Sequence, residues 1–175
     1  MKSLDRELLH ETLDIRNGQL FCGDIDMRIA RDGGWFYQGA PIERKKLVKL
    51  FAAILCRDEH GDFWLETPSE KCRIKVDDAP LQAIAMSVEG SKKDQCLSFK
   101  TNVDDIVVAG RLNPIRFVID PKTEEPSPYL LVREGIEALI TRPIFYDLVE
   151  LAVGKGDHEL GVWSNGVCFT LGHVD

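Results

Sequence analysis

Long apolar runs are missing from this sequence: its best stretches, such as Leu50 to Leu55, fall far short of the ~20 residues a membrane span needs. The five cysteines, Cys22, Cys56, Cys72, Cys96 and Cys168, are odd in number and contain no C-x-x-C pair, which argues against a disulfide framework. Met1 is followed by Lys2, Ser3, Leu4, Asp5 and Arg6 instead of an apolar segment. The expectation is a cytoplasmic protein with reduced thiols, no export signal and no membrane contact. Histidine is scarce as well. His10, His60, His158 and His173 stand singly without a ligand partner at metal spacing, so no dedicated zinc site is expected, and His158 between Asp157 and Glu159 reads as a solvated loop residue. No G-x-x-x-x-G-K-[ST] and no G-x-G-x-x-G occurs, and Gly154-Lys155-Gly156 lacks the rest of either pattern. That excludes a conventional NTPase or dehydrogenase, and no cofactor is expected. Gly161-Val162-Trp163-Ser164-Asn165-Gly166 misses the nucleophile-elbow spacing by one residue and has no histidine tied to it. Basic residues are outnumbered, 22 against 29 acidic, and a net charge of -7 repels a phosphate backbone, which excludes general nucleic-acid binding.

A hydrophobic content of 44% over 175 residues suffices for one domain or two small ones. Leu4, Leu8, Thr12 and Ile15 recur at helical spacing behind Ser3 and predict a short helix ended by Asn17-Gly18. Met27 to Gln38 reads as a hairpin turning at Asp32-Gly33, with Pro41 marking a helix start. Leu47, Leu50, Phe51, Ile54 and Leu55 then form an amphipathic helical face, with Lys45, Lys46 and Lys49 outward. Between 58 and 120, alternation such as Cys72, Ile74, Val76 and Leu97, Phe99, Thr101 predicts short antiparallel strands. Pro121 to Pro128 reads as an exposed loop. A helix follows Pro143 with Ile144, Leu148, Leu151 and Ala152 on one face, and Gly161 to Gly172 closes as a hairpin at Asn165-Gly166.

One pattern occurs twice. Ile29-Ala30-Arg31-Asp32-Gly33 matches Leu131-Val132-Arg133-Glu134-Gly135, and Pro41-Ile42 matches Pro143-Ile144 at the same offset of 102 residues. The match continues from Leu47-Val48-Lys49-Leu50 to Leu148-Val149-Glu150-Leu151 after a one-residue deletion. Gly serves the positive-φ turn, Pro the first helical turn, and the apolar quartet docks the helix on the hairpin. A duplicated β-hairpin plus helix unit in an α+β fold is therefore expected, as two subdomains at 1–70 and 71–175. Repeat logic makes Gly135 to Ile140 a strand, although Ile136, Leu139 and Ile140 also suit a helix. The seam between two packed copies is a default place for a ligand pocket.

The stretch from Phe21 to Ile42, FCGDIDMRIARDGGWFYQGAPI, resembles the bacterial family known as domain of unknown function 1285. Leu47 to Phe51, Thr67 to Lys71, Thr101-Asn102 and Phe145 to Val149 add further matching blocks, and the resemblance runs from about residue 20 to 170. It implies a duplicated α+β core, a C-terminal half superficially like a pleckstrin-homology roll, a nucleotide-like ligand between the halves and a role in signal transduction.

Arg31 and Arg133 hold equivalent repeat positions, and a guanidinium pairs with either a bracing carboxylate or a ligand phosphate. Arg28, Arg44 and Lys71 are further cations near the same blocks. Thr67, Glu70 and Lys71 in one turn, and Thr101 and Asn102 at a strand end, are candidate ligand contacts or plain turn chemistry. Tyr37 is the candidate for stacking a base. Asp24 and Asp26 project from one strand face and, with Glu70, offer an alternative site for a metal-dependent enzyme. A protein-interaction adaptor is the third reading.

Overall fold

The structure, a computed structural model, describes residues 14–16, 18–121, 125–155 and 159–173. The first half runs through β1 (Asp14–Arg16), β2 (Gln19–Ile29), β3 (Trp35–Tyr37), β4 (Ala40–Pro41), α1 (Lys45–Ala53), β5 (Leu55–Arg57), β6 (Phe63–Glu66) and β7 (Glu70–Val76). The second half runs through β8 (Leu81–Glu89), β9 (Cys96–Thr101), β10 (Ile106–Val108), β11 (Ile115–Ile119), β12 (Pro126–Arg133), β13 (Ile136–Ile140), α2 (Arg142–Glu150), β14 (Val153–Gly154), β15 (Glu159–Ser164) and β16 (Val167–His173).

The α+β fold is built on two sheets of the same design. One is ordered β4-β3-β2-β7-β6-β5, with β1 paired to β2, and the other β10-β9-β8-β13-β12-β11. Counted from β2 in the first half and from β8 in the second, both read third-second-first-sixth-fifth-fourth. The expected antiparallel pairing holds except at one place per sheet, where the first and last strands, β2 with β7 and β8 with β13, run parallel. Each half thus folds its chain back so that its end lies beside its beginning. One sheet curls into a half-barrel, and β14-β15-β16 form a small third sheet.

The hairpin-plus-helix unit seen in the sequence recurs as β2-β3-α1 and β12-β13-α2, with Gly33 and Gly135 at φ +82° and +69° in the two turns. Repeat logic chose correctly for Ile136–Ile140, which is a strand. The larger duplication has a different register, since β12 and β13 occupy the places that β6 and β7 hold in the first sheet. Two repeats of different scale are superimposed. The division expected between residues 70 and 71 falls after the first residue of β7, and the sheets themselves part between Val76 and Leu81.

Five expectations need correction. Ile15 belongs to β1, where it pairs with Leu20, because Gly18 at φ +80° turns the chain back on itself; the rest of the helix expected at the N-terminus lies outside the described residues, as does His158. Pro41 sits in β4, and α1 starts only at Lys45. Leu50 is 66% exposed, and Ala52 together with Val48 and Phe51 supplies the inner face of α1. Leu55 has already left the helix for β5. Pro126 and Pro128 are within β12, opposite Ile119 and Phe117 of β11. Their missing N–H groups cost nothing there, because β13 pairs with β12 only from Tyr129 onward.

One apolar core joins the halves. Ile29, Trp35 and Ile74 from the first and Leu81, Phe99, Leu130, Ile136 and Leu148 from the second belong to a single buried cluster. Both matching turns press into the opposite half: a Cβ on Gly33 would meet Asn102 and Gln82 at 3.0–3.2 Å, and one on Gly135 would meet the Arg57 Cβ at 2.9 Å. Among the described residues, no helix is long and apolar enough to cross a membrane.

Candidate functional site at the seam

The seam is packed through its middle and open at one flank. A cleft of about 310 Å³ lies there, lined by Arg31 from the first half and by Gln82, Glu125, Pro126, Ser127, Pro128, Leu139, Ile140, Thr141 and Arg142 from the second. Arg31 lies in the turn two residues after β2, which carries it to the seam, where Gln82 Nε2 donates to the Arg31 carbonyl at 3.1 Å. Its side chain is 68% exposed and its Nε lies 3.1 Å from Asp78 Oδ2. Asp78 also accepts from Tyr129 Oη–H at 2.8 Å, and burial followed by that bond raises the phenol above its ordinary value. The Tyr129 ring in turn lies 4.4 Å under the Arg116 guanidinium. On the far wall, Arg142 opens α2, is 74% exposed and donates to Glu125 at 2.8 Å. Each arginine engages an exposed or rim carboxylate, a pairing worth little in water, and keeps further donors of its fork available to a ligand anion.

The other candidates go elsewhere. Arg133, the repeat partner of Arg31, donates to the carbonyls of Ala52 and, at 3.3 Å, Leu55, where α1 ends. It braces the opposite flank of the seam. Tyr37 is 47% exposed on the short strand β3, between Met27 of β2 and Ala40 of β4, and does not line the seam cleft. Thr67 and Glu70 close their own turn: Thr67 N–H donates to the Glu70 carbonyl at 2.8 Å and Glu70 N–H to Thr67 Oγ1 at 3.0 Å. Thr101 is fully buried and accepts from Val103 and Asp105 N–H. Asn102 clips β8 by accepting from Gln82 N–H at 3.0 Å and donating its own N–H to the Gln82 carbonyl at 2.9 Å.

Lys71 lines a separate cleft of about 620 Å³ on the first sheet, with its Nζ 3.1 Å from Glu66 and 5.3 Å and 6.0 Å from the Trp64 and Phe21 rings. In that cleft Asp24 is gripped by Arg73, which holds its carboxyl below the usual range, and Arg73 also reaches Asp62 at 3.1 Å. Asp24, Asp26 and Glu70 do not converge: Asp24 lies opposite Arg73 while Glu70 lies opposite Leu20. Among the described residues, no group of three or more His, Cys, Asp or Glu is arranged to hold a metal ion.

Of the residues that line the seam cleft, the sequence had singled out Arg31 but not Gln82, Thr141 or Arg142. These residues reach the seam only because β13 inserts beside β8, a pairing without local signal; the nearest clue was Arg142 standing just before the repeated Pro143-Ile144.

Two sheets that share the same six-strand order and one core, with a lateral cleft at their seam, define a two-lobed α+β protein. The chain matches the N-terminal domain model of the domain of unknown function DUF1285 over residues 19–79 and the C-terminal domain model of the protein of unknown function DUF1285 over residues 80–171. It belongs to the DUF1285 family. A crystal structure of a DUF1285 family protein from Silicibacter pomeroyi is 52% identical, with a TM-score of 0.85 over 89% of this chain and 84% of that one. A second, from Shewanella baltica, is 26% identical with a TM-score of 0.55, over 72% of this chain and 91% of the other. No curated protein matches the chain.

Proposed function

We propose that this protein binds a small anionic ligand, nucleotide-like in character, in the lateral cleft between its halves, and that occupancy is its signal. One observation carries the reading: two exposed arginines, Arg31 and Arg142, face the same cleft from different halves. At about 310 Å³ the cleft lies at the small end of the ~300–1,000 Å³ range of ligand pockets. A phosphate between the two forks replaces two weak rim pairings with charge-assisted bonds, and Gln82 and Thr141 supply amide and hydroxyl contacts. A ligand bridging the halves favours whichever arrangement of them brings both arginines to it, which is the physical basis of a regulatory readout.

Thermal shift across a nucleotide panel tests the reading. A true ligand at 100 times its dissociation constant adds about 2.7 kcal/mol, and Arg31→Ala or Arg142→Ala should abolish that gain. Flat traces across the panel, or a shift that survives both substitutions, would remove the support.

A further inference from the structure

Most cations near the seam and the first sheet are neutralised. Arg28, Arg31, Lys71, Arg73, Arg116 and Arg142 each have a carboxylate within 4.0 Å. A group of three lysines in the second half is not. Lys92, Lys93 and Lys155 border a cleft of about 830 Å³ in the second half, floored by Val153, Trp163 and Cys168. Among the described residues none of the three lysines has an ion-pair partner, and Asp94 is the one acidic residue in the lining. In a chain of net charge -7, a concentration of unpaired positive charge around an indole is a local reversal of sign.

The walls of this cleft are tied together. Lys92–Asp94 form a 3₁₀ turn between β8 and β9, closed by Asp94 N–H donating to the Ser91 carbonyl at 3.2 Å. Gly90, at φ +73°, makes the tight approach possible, because a Cβ there would lie 2.6 Å from the Asp94 carbonyl oxygen. Next to the turn, Gln95 is 5% exposed, and its Nε2 donates to the Trp163 carbonyl at 2.8 Å while its own carbonyl accepts from Asn165 N–H at 2.9 Å. The strand bearing the indole and the turn bearing two lysines are thus fixed to each other by a buried amide. Val162 and Ser164, both fully buried, point to the core, so the pleat of β15 sends Trp163 to the cleft side. Lys93 Nζ lies 5.6 Å from the centre of that ring. Lys155 reaches over β15 to donate to Thr170 Oγ1 of β16 at 3.0 Å, passing Gly161, where a Cβ would lie 3.6 Å from its Cδ.

We infer that this lysine-rimmed cleft is a second ligand site, one that takes a flat aromatic ring carrying a phosphate: the ring stacks on Trp163 and the phosphate is held by Lys92, Lys93 and Lys155. Preset positive groups beside an aromatic face supply both halves of such recognition, and among the described residues these ammonium groups have no ion pair to give up on binding. The site is independent of the seam cleft and goes beyond the function proposed for it.

The experiment titrates adenosine 5′-monophosphate into ¹⁵N-labelled protein and follows the indole Nε1–H resonances. The chain has three tryptophans, and Trp163→Phe assigns the relevant signal. The Trp163 resonance should move saturably while that of Trp35, which is 2% exposed, stays still. Removing the charges together, as Lys92→Gln, Lys93→Gln and Lys155→Gln, should weaken the apparent affinity by at least about tenfold, or about 1.4 kcal/mol. Added salt should weaken it in the same direction. Arg31→Ala should leave the Trp163 response intact, which separates this result from failure or success at the seam. A static Trp163 signal at millimolar ligand, an unchanged response in the triple variant, or an equal response to inorganic phosphate alone would each overturn the inference.

Discussion

Replacing Arg133 should damage the protein's stability and not its ligand binding. Its guanidinium donates to the carbonyls of Ala52 and Leu55, two acceptors released where α1 gives way to β5. Helix carbonyls at that end have no intrahelical partners and carry the negative pole of the helix. A hydrogen bond from a charged donor contributes about 1.5–3 kcal/mol in net terms, and the half-buried position moves the pair to a combined value of about 2–3 kcal/mol. Arg133→Met keeps most of the apolar stem and removes both donors. For a chain of this size each kcal/mol corresponds to about 2–4 °C, so the melting temperature should fall by about 4–12 °C. Arg133→Lys, with a point charge able to serve one carbonyl well, should lose about half as much. Urea denaturation monitored by circular dichroism checks both variants, and any ligand-induced shift at the seam cleft should survive in each. A loss under about 0.5 kcal/mol for Arg133→Met, the level of an ordinary surface change, refutes the bracing role. Disappearance of the ligand shift in a folded Arg133→Met would refute the assignment of binding to the other flank.

Ser164 is fully buried, with its Oγ accepting from Leu97 N–H at 2.9 Å and donating to the Ala109 carbonyl at 2.7 Å, so Ser164→Ala should cost about 1–3 kcal/mol in a denaturant melt. Asp104 bonds to Lys49 of α1 and lies 2.9 Å from Lys100, which holds its carboxyl down at about 2 from an ordinary 3.8. Its stabilising effect is therefore complete above the ordinary value and lost as pH falls through about 2; melts across that range should show a shallower acid decline in Asp104→Asn, and the difference should shrink in high salt. Burial and the Glu66 carboxylate that accepts from its thiol push Cys56 up to about 11, and burial with a bond to Cys22 pushes Cys72 up to about 12. Iodoacetamide at mildly alkaline pH should consequently label the exposed Cys22 well before either, as read by peptide mass spectrometry.

The elements most legible in the sequence were those whose signal is local. Gly33, Gly135 and Asn165-Gly166 turn the chain where their dipeptides indicated, and Pro143 stands in the first turn of α2. Long-range pairing had no such signature: that β7 joins β2, or β13 joins β8, depends on which strand edges remain open after the meanders form. The repeated arginines illustrate the same limit for function. Arg31 and Arg133 occupy matching turns, but the first turn meets Gln82 and Asn102 while the second meets Arg57 and the end of α1, so equal local geometry led to a cleft in one case and a brace in the other. The lysine-rimmed cleft was out of reach for a related reason. Lys92-Lys93 lie far along the chain from Lys155 and Trp163, and the two segments are joined by Gln95, a residue with no pattern of its own.

The parallel joint at the heart of each sheet also sets an order of events during biosynthesis. Leu20 waits for Glu70 and Leu81 waits for Ala138, so neither lobe acquires its central neighbours until its sixth strand has left the ribosome. Until then β2 and β8 each offer a bare backbone edge, and closing loops of such length is slow. The nascent chain should accordingly depend on chaperone shielding most strongly just before each lobe is completed.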